Sequence, residues 1–283
     1  MFIIKIYFLI GAAATVTANL FFPFFRESYA WWLIPTIVLG TVAALILLQL
    51  LTLVIMIITA DLEKTDGKDN KFFRILVKHS VPIVVFLARV KINAHGLEKL
   101  PEDNQKMLFL CNHQHDFDPV ILYHCFPDAS LSFIGKKDIL TDKKFFAKAM
   151  IRLSCLFIDR ENDREAAKTI ITAIKYLKDK RCSIGLFPEG YCSKDDEILP
   201  LRNGSLKIAL KAKVPVAVCV INNTKKLPKN IFRRKTQIDF SLLEIIEPEF
   251  YENMNTAELG EIIHQKLVDG LKELKRQNSD DIK

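Results

Sequence analysis

A histidine and an aspartate stand five positions apart in the run Asn112-His113-Gln114-His115-Asp116-Phe117-Asp118-Pro119. An unperturbed imidazole titrates near neutrality, so His113 can take a proton from an alcohol at pH 7. Neutral imidazole has two tautomers. A carboxylate that accepts one ring N–H leaves the other nitrogen free as a base, and Asp118 is placed to do this. The pair is a catalytic triad with its serine removed, and the nucleophile would be a hydroxyl of the substrate. A plainer reading uses the same residues: Asp118 caps a helix that Pro119 begins, and His113 is an ordinary surface imidazole.

Metal ligation competes as well, because His113 and His115 lie among the aspartates Asp116 and Asp118. The best-known binuclear zinc run is His-x-His-x-Asp-His. Here Phe117 stands at its aspartate and Asp118 at its last histidine. The other histidines, His79, His95, His124 and His264, form no second cluster along the chain. No metal site is expected.

Three further polar groups stand where apolar stretches end. They are Lys136 with Lys137, Arg160, and Glu189 between Pro188 and Gly190. Cations at strand ends suit anions, and arginine binds phosphate through two parallel hydrogen bonds. Singly, each has a plainer account: a solvated lysine pair, a surface pairing of Arg160 with Asp159 or Glu161, a turn at Pro188-Glu189-Gly190.

The elements that must hold these residues alternate. Strand-like runs are expected at residues 90–94, 107–111, 131–135, 155–158, 183–187, 214–221 and 237–246. Helical spacing fills 120–126, 145–153, a segment opened by Asn162-x-x-Glu165, 204–212, and a last helix opened by Asn255-x-x-Glu258 and running to about residue 275, before a polar, fraying tail. Alternation of this kind argues an α/β fold with a mostly parallel central sheet flanked by helices. His113 falls just after one strand, which is where α/β scaffolds usually carry catalytic groups.

Half of the 283 residues are apolar, and the excess is concentrated near the start. Residues 6–25 and 31–60 carry no charged side chain, and each run is long enough to cross a bilayer as a helix. The five residues between them imply a transmembrane helical hairpin. A signal peptide or a re-entrant first segment, weakened by Asn19 and Pro23, are the alternatives. Tyr7, Trp31 and Trp32 suit an aromatic belt. Lys64, Lys68, Lys71, Arg74 and Lys78 follow the second run, against Arg26 alone in the turn. That bias places the remainder of the chain on the cytoplasmic face of the cell membrane. The net charge of +7 then serves an anionic lipid surface, and no nucleic-acid module is visible.

Residues 61–71 read as a linker. Residues 72–90 read as a basic amphipathic helix, kinked or restarted at Pro82, with its cations toward lipid phosphates; packing against the core fits the pattern equally. The expected division is therefore 1–60, hairpin; 61–89, linker and amphipathic helix; 90–283, the domain that carries the chemistry. None of the six cysteines forms a Cys-x-x-Cys pair, and a cytoplasmic setting implies that all are reduced.

Taken in order, Asn-His-x4-Asp, Phe-Ile-Asp-Arg (157–160), Phe-Pro-Glu-Gly (187–190) and Val-Pro-Val (214–216) resemble the glycerolipid acyltransferase family, and most of all its bacterial 1-acyl-glycerol-3-phosphate acyltransferases. The resemblance covers residues 90–221. It implies catalytic roles for His113 and Asp118. It implies a phosphate contact for Arg160 and a further one for Lys136, and an acceptor site lined by Phe187, Pro188, Glu189 and Gly190. The family's run usually continues Thr-Arg-Ser; this chain has Tyr191-Cys192-Ser193. The second phosphate-binding arginine is thus missing, and Lys194 is the nearest cation to replace it.

The expectation is a membrane enzyme of phospholipid biosynthesis. It would move a fatty acyl group from acyl-CoA or acyl carrier protein, as co-substrate, to a lysophospholipid hydroxyl, most simply that of 1-acyl-glycerol-3-phosphate. No bound cofactor is expected. Another lysophospholipid or small acceptor, a non-catalytic lipid-binding protein, and a thiol enzyme using Cys192 are the alternatives, the last lacking any base beside Cys192 in sequence.

Overall fold

The computed structural model describes residues 2–21, 32–63, 69–103, 105–193, 195, 197–231 and 233–280. The hairpin turn with Arg26 and Trp31, the linker lysines Lys64 and Lys68, and Lys194 lie outside the described residues.

Two long helices come first, α1 (Phe2–Phe21) and α2 (Leu33–Ile58). Both are long and apolar enough to cross a membrane. They pack on each other, with Gly11 at the crossing, where a Cβ would meet the Val38 backbone oxygen at 3.1 Å. Polar groups join them to the third helix, α3 (Lys71–Leu87). Tyr7 Oη donates to Gln49 Oε1 at 2.6 Å, and Gln49 Nε2 donates to Ser80 Oγ at 2.9 Å. Tyr7 is therefore an inter-helix tie as well as a candidate belt residue.

The rest runs β1 (Val90–His95), β2 (Leu108–Cys111), α4 (Asp118–Cys125), β3 (Leu131–Lys136), α5 (Ile139–Asp142), α6 (Lys144–Arg152), β4 (Leu156–Ile158), α7 (Asp163–Lys178), β5 (Ser183–Leu186), α8 (Lys207–Ala212), β6 (Val216–Asn222), α9 (Leu227–Asn230), β7 (Thr236–Ile246), α10 (Pro248–Tyr251) and α11 (Thr256–Asp280). The strands form one seven-stranded sheet in the order β1-β7-β6-β2-β5-β3-β4. Every pairing is parallel except β6 with β7. This is the expected α/β fold, with two apolar helices at its N-terminal end.

The near-continuous apolar strands follow from burial on both faces. In β2, Phe109 and Cys111 point to one face with Phe73, Val81, Ile121 and Phe240. Leu108 and Leu110 point to the other with Leu177, Ile208, Ile263 and Leu267. All seven residues of β6 are buried. The sheet's middle strands are thus fixed on both sides, and β2 delivers its C-terminal end to a rigid edge.

Several boundaries and orientations differ from the sequence expectation. Pro82 neither ends nor restarts α3, which runs through it; Asn70 caps its start by accepting from the Phe73 N–H at 2.9 Å. The Arg74 guanidinium turns inward rather than toward a lipid surface. It donates to Leu131 O, Ser132 Oγ and Leu153 O at 2.6–2.8 Å and pairs with Asp69. These carbonyls lie where β3 begins and α6 ends, so Arg74 fastens α3 to the domain. From α6, Arg152 Nε donates to Met56 O at 3.0 Å, and Lys148 reaches Ile58 O. Two cations therefore meet carbonyls in the last turn of α2, where the helix dipole favours them. The last helix continues to Asp280, past the expected end near residue 275.

Candidate active site

Asp118 does not cap α4. The position before the helix is Phe117, and Asp118 sits in the first turn with Pro119. Its carboxylate points back along the chain. Oδ2 accepts from the backbone N–H of Gln114 at 2.6 Å and of His115 at 2.9 Å, and from the ring Nδ1 of His113 at 2.8 Å. Asp118 is fully buried, and His113 keeps 17% of its side chain exposed. In the neutral ring this contact assigns the proton to Nδ1 and makes Nε2 the basic nitrogen.

Neighbouring strands hold the same loop. Asn112 Nδ2 donates to Ile221 O at 3.0 Å and its Oδ1 accepts from Ile221 N at 2.8 Å, which joins the end of β2 to β6. The Glu189 carboxylate, 2% exposed, clamps the other side. Oε1 accepts from His113 N and Oε2 from Leu199 N, both at 2.7 Å. Burial raises the Glu189 pKa, while these two N–H groups work against the rise. Both carboxylate oxygens are thus taken by main chain. The Phe187 ring lies against His113, with centroids 4.2 Å apart and planes 21° from parallel, and it stacks on Phe133 behind.

Burial acts to lower the His113 pKa, but hydrogen bonding to Asp118 and Cys192 outweighs it and raises the pKa to about 10. Cys192 is therefore at the imidazole. The backbone agrees, since Ser193 N donates to His113 O at 2.8 Å. The base that Cys192 lacks in sequence is beside it in the fold. The candidate metal ligands are engaged otherwise: His115 Nδ1 accepts from Phe117 N at 3.2 Å and Asp116 pairs with Lys143.

The cationic residues gather at the same sheet edge. Arg160 follows β4 and is half-buried, with its guanidinium carbon 5.0 Å from the Tyr191 ring centroid. Lys136 ends β3, pairs with Asp138, and lies within electrostatic reach of Tyr191 and Arg160. Lys137 points elsewhere, to Asp159 at 2.9 Å. His113, Asp118, Lys136, Arg160, Phe187, Pro188, Glu189 and Gly190 are thus brought together. Arg202 was missed. It lies in none of the recognisable runs, yet its guanidinium carbon is 5.1 Å from the Tyr191 ring and its Nη2 donates to Tyr191 Oη at 3.1 Å.

A buried carboxylate–imidazole pair beside clustered guanidiniums can deprotonate a hydroxyl on a molecule whose anionic group is held nearby. Comparison with known proteins finds a likeness that takes in this edge. The stretch 91–222 matches the family model described as acyltransferase. Over that stretch the chain is similar to acyltransferases. The stretch spans β1 to β6 and contains every site residue above.

Relatives extend the acyltransferase likeness. The 1-acyl-sn-glycerol-3-phosphate acyltransferase of Salmonella typhimurium is 32% identical over 130 residues, 46% of this chain and 52% of that protein. The chain thus spans about half the length of that relative. The protein of the same name from Borreliella burgdorferi is 28% identical over 206 residues, covering 71% of this chain and 80% of its own. Among solved structures, the 1-acyl-sn-glycerophosphate acyltransferase PlsC of Thermotoga maritima superposes with a TM-score of 0.59 at 23% identity, over 72% of this chain and 80% of that one. The last likeness is one of fold.

Proposed function

We propose that this protein transfers a fatty acyl group from an acyl thioester to the free hydroxyl of 1-acyl-glycerol-3-phosphate, giving phosphatidic acid. The observation that carries the reading is the 2.8 Å contact between His113 Nδ1 and Asp118 Oδ2, which makes Nε2 the basic nitrogen of the neutral ring. The relatives' names supply the acceptor.

The step uses the chain's own groups. His113 Nε2 takes the hydroxyl proton as the acceptor oxygen attacks the thioester carbonyl carbon. Asp118 stabilises the imidazolium that forms. The carbon–sulfur bond then breaks, and the departing sulfur takes the proton back from Nε2, so the histidine ends as it began. Phe187 fixes the plane of the ring, and Glu189 fixes the backbone that carries it. Arg160 and Lys136 hold the acceptor's phosphate. The donor is acyl-CoA or acyl carrier protein. Residues 1–60 anchor the enzyme in the cell membrane, residues 61–89 lead from the anchor, and the catalytic domain, residues 90–283, faces the cytoplasm.

The test is a product assay with purified protein, defined thioester donors and a panel of lysophospholipids, read by mass spectrometry. Phosphatidic acid is the expected product. Turnover of some other acceptor in preference would move the reading to a different lysolipid. Hydrolysis without transfer would remove it.

A further inference from the structure

Two guanidiniums from distant parts of the chain meet beside Gly190. The Gly190 backbone has φ +80, and a Cβ there would lie 2.9 Å from Arg202 Nε and 3.7 Å from the Arg160 guanidinium carbon. Only glycine leaves that space, and the two cations occupy either side of it. Tyr191 orders them: its ring centroid is 5.0 Å from one guanidinium carbon and 5.1 Å from the other, and its hydroxyl accepts from Arg202. Arg202 is held in turn by its own N–H, which donates to Pro188 O at 2.8 Å. Among the described residues neither guanidinium pairs with a carboxylate, and Arg160 Nη1 is buried with no hydrogen-bond partner. Burial, and then the charge of Arg202, depress the Arg160 pKa. Like charges this close repel, and a buried donor without an acceptor is costly. An anion between them would relieve both.

We propose that Arg202 is the second phosphate ligand of the acceptor, acting beside Arg160 with Tyr191 as the spacer, and that this pair selects a lysophospholipid ending in a phosphate monoester. The proposal rests on the acyl-transfer reading above and names the part of the site that reads the headgroup. A monoester carries nearly two negative charges and three terminal oxygens, so it can take a two-pronged contact from each of two guanidiniums. A phosphodiester headgroup offers one charge and two free oxygens, and its choline or amine adds a cation where two already stand. The arginine absent at Cys192 is therefore supplied eleven residues past Tyr191, from the far side of the same loop. Tyr191 is the residue that makes the replacement work, because it keeps the flexible Arg202 side chain facing Arg160.

Steady-state kinetics of the full-length enzyme with Arg202→Gln and Arg202→Lys test this. The expected result is an acceptor KM raised about 10- to 100-fold in Arg202→Gln, matching the loss of one or two charge-assisted hydrogen bonds. Arg202→Lys lies between, kcat and the donor KM change little, and preference for lysophosphatidic acid over lysophosphatidylcholine shrinks by a similar factor. Arg202 is exposed, so the melting temperature stays at the wild-type value. Binding of glycerol 3-phosphate by calorimetry gives a readout without turnover, weaker by the same factor in Arg202→Gln. Unchanged acceptor KM and unchanged glycerol 3-phosphate affinity in Arg202→Gln overturn the role of Arg202 alone. A wild type that binds glycerol 3-phosphate through Arg202 yet acylates no lysolipid upholds the phosphate site and overturns the acyl-transfer reading instead.

Discussion

The imidazole of His113 lies on the ring of Phe187, 4.2 Å between centroids and 21° from parallel. The two residues are more than seventy positions apart, at the ends of β2 and β5, which pair in parallel. One element supplies the base and its neighbour supplies the surface that keeps the ring from turning. Asp118 holds one ring nitrogen, Phe187 holds the plane, and only Nε2 is left for chemistry.

Phe187→Leu keeps an apolar residue but loses the flat face. The expected result is a kcat lower by about 10- to 100-fold, the effect of a misplaced catalytic group, with the acceptor KM less affected. A variant with wild-type kcat would show that Asp118 alone orients the ring.

The base must be neutral to act, so activity rises as pH climbs through the His113 pKa in the free enzyme. That pKa stands above the usual imidazole value of about 6.5 because the contacts with Asp118 first, and then Cys192, overcome burial. The pH profile of kcat/KM should therefore have its rising limb displaced to alkaline pH. Asp118→Asn removes the negative charge, so the limb should move down in pH while the maximal rate falls by about 10³-fold or more. A rising limb at or below pH 6.5 in the wild type, or no shift in the variant, contradicts this.

Glu189 accepts two main-chain N–H bonds, so glutamine there turns an NH2 group toward a backbone donor. Glu189→Gln should cost about 1–3 kcal/mol of stability, seen as a lowered melting temperature, together with a reduced kcat because the His113 backbone is released. An unchanged melting temperature with a raised acceptor KM would make Glu189 a substrate contact rather than a brace.

Cys192 is exposed and sits at His113, which gives a thiol mechanism a geometry. In the reaction proposed here the nucleophile is the acceptor's oxygen, so Cys192→Ser should retain turnover and form no acyl-thioester on the protein. Loss of activity in Cys192→Ser, with an acyl group trapped on Cys192 in the wild type, would establish the other mechanism.

The sheet was legible because its strands are short apolar runs with polar ends, and β2 and β6 are buried on both faces. The His113–Asp118 pair was legible because both partners sit in one loop, where spacing alone limits geometry. Contacts between loops were not. Arg202 gives no local signal, since its meaning comes from Tyr191 and from Arg160, forty-two positions earlier. Glu189 read as a residue facing substrate, yet both its oxygens face main-chain N–H groups supplied by other segments. Arg74 read as a surface cation in a basic stripe. Its partners are carbonyls of β3 and α6, which helical periodicity cannot reveal. Pro82 read as a kink or a restart, but α3 continues through it, with Val81 and Val85 packed in the core on either side.

The most direct test is acyl transfer by His113→Ala, purified beside the wild type and supplied with lysophosphatidic acid and a thioester donor. The expected result is a folded protein with wild-type melting behaviour that still binds glycerol 3-phosphate but forms phosphatidic acid at background rate. Phosphatidic acid formed at a rate near that of the wild type would contradict it.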